Sequence, residues 1–479
     1  MRSALFALGL LVAAPAAAQD ASLEGELTRA DFETYREVPF TVPAGVARIT
    51  VRLTYDKAEK TVVDLGLWDP ARFRGWSGGT RDRMTVSATD ASPGYLPGPL
   101  PAGQWKVMLG VPNIRAGTRS RYRVDVYFDR GAARAASDAI ADPSLQSAPG
   151  WYRGDLHMHD ANSDGSCATR GSEGAVRVPC PLFRTVEAAA TAGLDFIAVT
   201  DHNTVAHFDE LRELQPWFGR LLLIPGIEVT TFRGHANIFA PTRFVDFRLG
   251  SRKGIRALQD DIADAGAILS INHPALPSGE LCMGCGWTWP ETDWSRVAAI
   301  EAVNGTMAEG PLAGTGFWYA RLNEGHRITG IAGSDNHDPD APAGKAPIGR
   351  PATVVHAKAL SSAAILDGVR AGNVFIDVEG TRDRLLEVEA RGGGAVAAMG
   401  GSLTGSAPIR LTVHAKGVAR ARAALIVDGE QHGDDVGIGT SDDRVTLTLP
   451  ANAARRWIAV TITNAGRPLL IGNPIYITR

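Results

Sequence analysis

The chain has 479 residues, 44% of them hydrophobic, and a formal net charge of −3 at neutral pH. Domains commonly span about 100 to 200 residues, so this length predicts two to four of them, each large enough to bury its own core. The near balance of acidic and basic residues disfavours nucleic-acid binding through a broad basic surface, although it leaves a local basic patch open. We therefore expect no nucleic-acid partner.

The first 18 residues have the pattern of a secretory signal peptide. Arg2 is followed by an apolar run over residues 4–12 and by three alanines before Gln19. The pattern predicts a periplasmic or secreted protein whose mature chain begins near Gln19. No later segment approaches the roughly 20 continuous apolar residues that cross a bilayer, so we expect no membrane span.

Residues 19–130 are predicted to form an N-terminal β-sandwich. Short runs of alternating polar and apolar residues are separated by proline and glycine, as in antiparallel sheets. The clearest runs are 46–55, 62–68, 104–111 and 121–128. Residues 131–149, rich in alanine, serine, aspartate and proline, are predicted to be a linker.

Residues 150–383 change to a repeated order of apolar strand, polar loop and helix. The predicted strands are 152–158, 196–200, 221–228, 267–272, 298–303 and 328–333. The predicted helices are 182–192, 203–216, 254–265 and 311–324. This alternation favours a parallel (β/α) barrel. Catalytic groups in such barrels lie at the carboxyl ends of the strands, where the loops converge.

Four cysteines lie within this region, and they are Cys167, Cys180, Cys282 and Cys285. In an exported protein an even count favours disulfides. Pairing Cys167 with Cys180 and Cys282 with Cys285 closes the shortest loops, whereas a cross pairing would tie two loops together. The alternative is a four-thiolate zinc site, which is more typical of reducing compartments.

Residues 384–479 return to β alternation and are predicted to form a C-terminal β-sandwich. Its clearest runs are 409–413, 424–427, 445–449 and 458–463. The glycine-rich segment 392–405 does not have the strand-turn-helix order of a phosphate-binding loop. We interpret this segment as a flexible connection.

Nine potential metal ligands follow the predicted strands or their adjoining loops, which indicates a polynuclear metal centre. They are His157, His159, Asp164, His202, Glu228, His235, His273, Asp335 and His337. His157 and His159 are two residues apart on a strand, so both can bind one ion. Glu228 has two carboxylate oxygens and could bridge two ions.

The other positions have competing interpretations. Asp201 could accept a hydrogen bond from His202 and fix its tautomer. Asp164 lies in a tetrapeptide that is also an ordinary turn, and His235 could simply pack in the core. Trp287 and Trp289 could form a pocket wall or pack in the core. Two basic residues after the last motif, Lys345 and Arg350, could neutralise a phosphate or remain solvated.

The combined motifs resemble those of the PHP (polymerase and histidinol phosphatase) superfamily. The matching segments are Asp155-Leu156-His157-Met158-His159, Ser163-Asp164-Gly165, Thr200-Asp201-His202, Gly226-Ile227-Glu228, Asn272-His273-Pro274 and Ser334-Asp335-Asn336-His337. They span roughly residues 150–380. The flanking β domains and the expected export are similar to the carbaryl-hydrolase-like (CehA/McbA) branch.

The resemblance implies a distorted seven-stranded (β/α) barrel with two or three divalent ions, usually zinc, manganese or iron. Carried across by motif, three ligand sets are expected: His157, His159, Glu228 and Asp335 for the first ion; Glu228, His235 and His273 for the second; Asp164, His202 and His337 for the third. If the protein holds fewer than three ions, we expect Asp164 or His235 to be the residue that does not act as a ligand.

The implied function is hydrolysis of a small-molecule ester by a metal-activated hydroxide, with a phosphodiester or phosphomonoester favoured. Asp335, or an imidazole of His202 or His337 not fully engaged with metal, could move protons. The alternative enzyme is a carbamate or carboxylic-ester hydrolase. An alternative of another class is a periplasmic binding protein that keeps metal for structure. The oligomeric state is left open.

Overall fold

The computed structural model describes residues 19–88, 91–130, 144–242, 244–250, 253–280, 282–342, 344–452 and 455–478. The predicted signal peptide and residues 131–143 of the predicted linker lie outside these ranges. Within them, no helix has the length and apolar character that crossing a membrane requires.

The N-terminal part consists of two four-stranded antiparallel sheets. Its strands are β1 (Ala21–Thr28), β2 (Tyr35–Val42), β3 (Arg48–Tyr55), β4 (Val62–Trp68), β5 (Phe73–Trp76), β6 (Arg83–Ser87), β7 (Gly103–Asn113) and β8 (Arg119–Asp129). One sheet has the order β1-β8-β3-β6 and the other β2-β7-β4-β5. Alternation places Ile49, Val51 and Leu53 of β3 in the core and leaves Arg52 exposed. Each such burial contributes about 1.5 to 3 kcal/mol.

The central part contains eleven strands and five α-helices among the described residues. The strands are β9 (Gly150–Asp155), β10 (Ser166–Gly171), β11 (Gly174–Pro179), β12 (Phe196–Val199), β13 (Leu222–Thr231), β14 (Gly234–Phe239), β15 (Ile268–Ile271), β16 (Val297–Asn304), β17 (Thr329–Gly333), β18 (Ala352–Ala357) and β19 (Val374–Asp377). The helices are α1 (Leu182–Ala192), α2 (His207–Leu214), α3 (Ile255–Asp264), α4 (Thr315–Asn323) and α5 (Ser362–Arg370).

Helix α1 shows how the sequence fixes these elements. Leu182, Val186 and Ala189 recur at helical spacing and are buried on one face of the helix. Gly193 ends the helix with φ 73°, a left-handed conformation that glycine adopts at little cost. The observed bounds equal the predicted ones, 182–192.

The structure does not show the predicted seven-stranded (β/α) barrel. Backbone pairing follows an open order, β17-β16-β15-β14-β13-β12-β9-β18-β19, and β14 is antiparallel to both of its neighbours. Between β17 and β18 the described residues make a side-chain link instead. The Thr353 hydroxyl accepts from the Ala332 amide at 2.8 Å and donates to the Ala332 carbonyl at 2.7 Å. The protein is therefore described as multidomain and sheet-rich.

The departure from regular alternation has a local cause. A tight turn over Phe232 and Arg233 joins β13 to β14, so no crossover helix separates these strands and they run antiparallel. Strands β18 and β19 were not predicted from the sequence.

The C-terminal part is also built from strands. They are β20 (Leu385–Gly392), β21 (Ala395–Ala398), β22 (Ser402–Thr404), β23 (Ile409–Lys416), β24 (Arg422–Val427), β25 (Glu430–Gln431), β26 (Val436–Gly437), β27 (Asp442–Leu449), β28 (Trp457–Asn464), β29 (Arg467–Gly472) and β30 (Ile475–Thr478). One sheet has the order β21-β20-β23-β27, and β29 joins the other to β19 of the central sheet. Because β21 and β22 lie within residues 392–405, the interpretation of that segment as a flexible connection was wrong.

Candidate metal centre

The ends of neighbouring strands bring the predicted ligands together. Parallel pairing of β9, β12 and β13 places the carboxyl ends of these strands along one edge. His157 and His159 follow β9. His202 follows β12, and its backbone pairs with that of Glu228 on β13 in an isolated parallel β-bridge. The remaining ligands come from β14, from the segments after β15 and β17, and from the loop that precedes β10.

Glu228 is the centre of this arrangement and is 1% exposed. Its Oε2 lies 3.4 Å from His157 Nε2 and 2.9 Å from His202 Nδ1. Its Oε1 lies 3.3 Å from both His235 Nδ1 and His273 Nε2. The two oxygens therefore face different histidines, which is the geometry that a carboxylate bridging two ions requires.

Asp335 completes the first predicted ligand set. Its Oδ1 lies 3.3 Å from His157 Nε2 and 3.2 Å from His159 Nε2. Asp335 has φ 53° and His273 has φ 25°, both strained for residues with a side chain. Such strain costs about 1 to 3 kcal/mol and is found where surrounding contacts impose a functional geometry. Here the Asp335 amide donates to the His157 carbonyl at 2.9 Å.

A further ligand set lies nearer to solvent. Asp164 Oδ1 is 3.3 Å from His337 Nε2, and Asp164 Oδ2 is 3.7 Å from His202 Nε2. With His159, these residues offer four ligand atoms that all lie within 4.8 Å of one another. Asp164 and His235, whose roles the sequence left open, are thus placed in the cluster with the other seven residues.

Unsatisfied buried atoms test whether the cluster fits metal ions. His157 Nε2, Glu228 Oε2 and His235 Nδ1 are buried, and their short contacts with neighbouring ligands do not have the geometry of hydrogen bonds with any described residue. Buried polar atoms normally have hydrogen-bond partners, so an exception needs an explanation. Imidazole nitrogens and carboxylate oxygens are the ligand types of zinc, manganese and iron. The donor set therefore fits divalent ions, which would pair with the unsatisfied atoms.

Glu301 on β16 is a supporting residue that the sequence analysis missed. It is fully buried, accepts a hydrogen bond from His157 Nδ1 at 2.7 Å and accepts another from the His273 amide at 2.9 Å. A carboxylate on Nδ1 holds the imidazole in the tautomer whose Nε2 is free to bind metal. The sequence did carry a signal, an acid inside the apolar run 297–303.

Asp201 does not have the predicted contact with His202. Its side chain accepts hydrogen bonds from the Ser163 hydroxyl and from the Asp160 amide, the latter at 3.0 Å. Asp201 thus points towards the loop that carries Asp164. It therefore supports that loop, and the Thr230 hydroxyl, 2.6 Å from His202 Nδ1, contacts the imidazole instead.

The charges of the cluster are strongly coupled. Burial alone would raise the pKa of Glu228, but His202, His157 and His235 lower it well below the usual range. Burial and the neighbouring His337 and His202 lower the pKa of His159 to about 4. Because a neutral imidazole is the form that binds metal, His159 is ready for an ion at neutral pH.

The ligands border a cleft of about 520 Å³ that the N-terminal sandwich also lines. Tyr35, Asp64 and Trp76 of the sandwich face Asp164, His202 and His337 across it. Among the described residues that line this cleft there is neither a lysine nor an arginine.

The aromatic and basic residues considered from sequence do not line the cleft. Trp287 packs in the central core and donates from its indole to Thr292, while the Trp289 indole donates to Thr231. Lys345 and Arg350 are also not among its described lining residues. For Trp287, the packing interpretation holds.

Comparisons with known proteins yield distant structural likenesses. No model of a known protein family matches the chain, and no curated protein matches it. A two-domain protein of Bacteroides vulgatus that contains a predicted PHP-like metal-dependent phosphoesterase aligns with 18% identity and a TM-score of 0.38, over 73% of this chain and 100% of that chain. A protein of Bifidobacterium adolescentis whose proposed activity is that of a metal-dependent phosphoesterase aligns with 16% identity and a TM-score of 0.27, over 39% and 88%. Both scores are below 0.5, so neither likeness carries weight in assigning a function.

Proposed function

We propose that the protein is an exported, metal-dependent hydrolase of the PHP superfamily, of the CehA/McbA branch, that cleaves small-molecule esters. The observation that carries the proposal is Glu228, whose two oxygens face two different groups of histidines. A structural zinc site needs about four ligands, whereas this cluster has nine, one of which is the central carboxylate of Glu228. A phosphodiester or phosphomonoester is the favoured substrate.

The ligands would hold two or three divalent ions, with Glu228 shared between the first two. With ions bound there, the site would have the chemistry to lower the pKa of water and to polarise the ester oxygen, and it would need no serine or cysteine nucleophile. Zinc, manganese and iron suit the donor set equally.

The chain contributes positioning and proton transfer. Glu301 fixes the His157 tautomer, and Asn272 donates to Glu228 Oε1 at 2.9 Å, which holds the bridging carboxylate in place. The side chains of His157 and His159 are 0% exposed, whereas Asp335 is 23% and His337 38% exposed. Asp335, His337 and the similarly open His202 can therefore reach a substrate in the cleft and carry protons to or from it.

The test is elemental analysis of protein purified without chelator, followed by assays with an aryl phosphodiester, a phosphomonoester, a carboxylic ester and a carbamate. We expect two or three ions per chain and hydrolysis of a phosphate ester. The variant His157→Ala/His159→Ala should lose turnover by at least about a thousandfold, because it removes two ligands of the first ion. The matched control, His356→Ala/His432→Ala, removes two exposed histidines away from the cluster and should keep full activity.

Two results would contradict the proposal. Full activity in the His157→Ala/His159→Ala variant would show that the cluster is not the active site. A single tightly held ion without hydrolysis of any ester would instead favour a binding protein that keeps metal for structure.

A carbamate or carboxylic-ester hydrolase is the second candidate. It is favoured by the cleft lining, in which the described residues include no lysine or arginine to pair with a phosphate. Faster turnover of the aryl carbamate than of the phosphodiester by the same metal-loaded protein would select this candidate.

A further inference from the structure

We propose that Asp64, from the N-terminal sandwich, sets the charge specificity of the cleft by disfavouring substrates that carry two negative charges near the metal centre. The inference rests on the proposed hydrolase function and makes it narrower. Phosphodiesters and uncharged esters would be accepted, whereas phosphomonoester dianions would be disfavoured.

The strand geometry directs Asp64 towards the cleft. Val63 and Leu65, its neighbours on β4, are buried in the sandwich core at 1% and 0% exposure. Because successive side chains on a strand point to opposite faces, Asp64 points away from that core. It lines the same cleft as the ligands Asp164, His202 and His337.

The pairing of β4 with β7 is irregular at this position. Val62 pairs with Asn113 but Asp64 pairs with Gly110, so the register shifts between them. Such irregularities re-aim side chains and are frequent beside functional sites. A Cβ added at Gly110 would lie 3.1 Å from Asp64 Oδ2, so the glycine leaves room for the carboxyl group.

Asp64 is half-buried, yet its side chain makes no hydrogen bond or ion pair with a described residue. Other buried acids of the sandwich are paired, as Asp69 is with Arg74 at 3.2 Å and Asp125 with Arg123 at 2.9 Å. Burying a carboxylate without a hydrogen-bond or ion-pair partner costs free energy, so the presence of Asp64 at this position requires a functional explanation.

The charge of the lining explains what Asp64 would do. Four acids line the cleft, and three of them, Asp164, Glu228 and Asp335, are in the metal cluster. Asp64 is the remaining acid, and no described lysine or arginine of the lining offsets it. Sites for phosphate dianions normally supply arginine or lysine, whereas a like charge facing the ligand is strongly unfavourable.

The surroundings of Asp64 also matter for its charge. Burial raises the pKa of Asp64 to about 7, and His202 across the cleft opposes the rise. On the sandwich side, Asp64 adds to the effect of burial in raising the pKa of the phenols of Tyr35, Tyr55 and Tyr95. At pH 8.5 the carboxyl group is ionised and its repulsion of a dianion is fully developed.

The kinetic test compares wild type and Asp64→Asn, loaded with the same metal, at pH 8.5. The substrates are p-nitrophenyl phosphate, a dianion, and bis(p-nitrophenyl) phosphate, a monoanion. We expect the ratio of kcat/KM for the monoester to that for the diester to rise at least about tenfold in the variant. Asp56→Asn, which alters an exposed acid of the same sandwich, should leave the ratio unchanged.

A calorimetric measurement tests the inference without turnover. Inorganic phosphate should bind metal-loaded Asp64→Asn about tenfold more tightly than wild type, while the affinity for dimethyl phosphate should change by less than about threefold. Equal phosphate affinities in the two proteins would overturn the inference, and so would loss of metal from the variant. Absence of hydrolysis by wild type with every ester would contradict the proposed function, while the binding comparison would still decide the role of Asp64.

Discussion

His202 and His337 carry protons that a metal ion must displace. Burial disfavours the charged imidazole of His337, but Asp164 and then Asp335 outweigh it and raise the pKa to about 10. In the same way, Glu228 and Asp164 outweigh burial and raise the pKa of His202 to about 9. In the metal-free protein both side chains are therefore cationic at neutral pH, and they replace part of the charge that metal ions would supply.

The prediction is that affinity for the ion held by Asp164, His202 and His337 rises with pH between about 6.5 and 8.5. Both raised pKa values lie above this window, so binding releases a proton from each imidazole, and each proton released changes the affinity about tenfold per pH unit. His159 adds no dependence there because its pKa of about 4 leaves it neutral. Competition of zinc with a chelator at several pH values measures the slope.

The variant His337→Ala removes one of these protons and should reduce the slope by one proton. The control His432→Ala alters an exposed histidine outside the cluster and should keep the wild-type slope. A zinc affinity that does not change with pH would contradict the prediction.

At this scale, spacing along the chain predicted which residues could meet but not what holds them. Two-residue spacing after a strand identified His157 with His159, and Asp335 with His337. Glu301 was missed because an acid in an apolar strand looks like an isolated irregularity until His157, 144 positions away, is seen to donate to it. Asp64 was missed because its importance depends on a cleft between two parts of the chain.

Among the elements, the hairpin of β10 and β11 supports the loop that carries Asp164. The structure pairs Cys167 with Cys180 at the base of this hairpin, and Cys282 with Cys285, so it adopts the pairing that closes the shortest loops. The Ala161 amide donates to the Cys180 carbonyl at 2.7 Å, and the Ser166 amide donates to the His337 carbonyl at 2.7 Å. The hairpin therefore connects the loop to the ligand segment that follows β17.

Replacing both Cys167 and Cys180 by serine should lower the free energy of unfolding by about 3 kcal/mol. The reason is that a disulfide closing a loop of this size, here with a sequence separation of 13, restricts the unfolded chain. Urea unfolding of the metal-free protein measures the change. The Cys282–Cys285 disulfide spans a sequence separation of only 3. Replacing these two cysteines by serine should therefore lower the free energy of unfolding by less. An unchanged midpoint for the Cys167/Cys180 variant would contradict the prediction.

The elements themselves were predictable where local patterning decides them. Amphipathic spacing and a terminal glycine predicted α1 at its observed bounds. Period-2 alternation predicted four strands of each flanking part, namely β3, β4, β7 and β8, and β23, β24, β27 and β28. The predicted helix 311–324 is shorter in the structure, Thr315–Asn323, because residues Gly310 and Gly314 precede it and resist helix formation. The antiparallel β14 was missed because six consecutive buried residues have no alternation to reveal a strand.

The N-terminal sandwich forms part of the cleft at the metal cluster. Tyr35 stacks on Phe232 at a ring-centroid distance of 5.0 Å, and Phe73 stacks on Phe244 at 3.9 Å. These contacts join the sandwich to the segments around β13 and β14, which carry Glu228 and His235. Sequence reasoning treated the sandwich as a separate flanking domain, since nothing local in either part encodes the docking of one on the other.

Arg81 is one of the residues that join the sandwich to the loop that carries Asp164 through hydrogen bonds. Its guanidinium donates to the Ala161 carbonyl at 2.6 Å and to the Ser163 carbonyl at 3.3 Å. Burial lowers the pKa of Arg81, while Tyr95, Asp201 and Asp160 oppose the change. The guanidinium thus satisfies two carbonyls of the loop that presents Asp164, and it does so from the other side of the domain boundary.

Arg81→Met should loosen this loop. It should lower the affinity for the ion that Asp164, His202 and His337 would hold more than the affinity for ions at Glu228. The Ala161 carbonyl loses this donor and the Ser163 carbonyl keeps only the Thr80 hydroxyl at 3.5 Å, at a cost of about 1 to 3 kcal/mol. Among the nine ligands, Asp164 is the one that this loop carries. Elemental analysis after dialysis against a weak chelator should show the loss of up to one ion per chain, whereas Arg83→Met, at an exposed position on the same strand region, should match wild type. Equal metal content in all three proteins would show that the sandwich covers the cleft without holding the loop. Loss of every ion would show instead that docking of the sandwich is needed for the bridged pair at Glu228 as well.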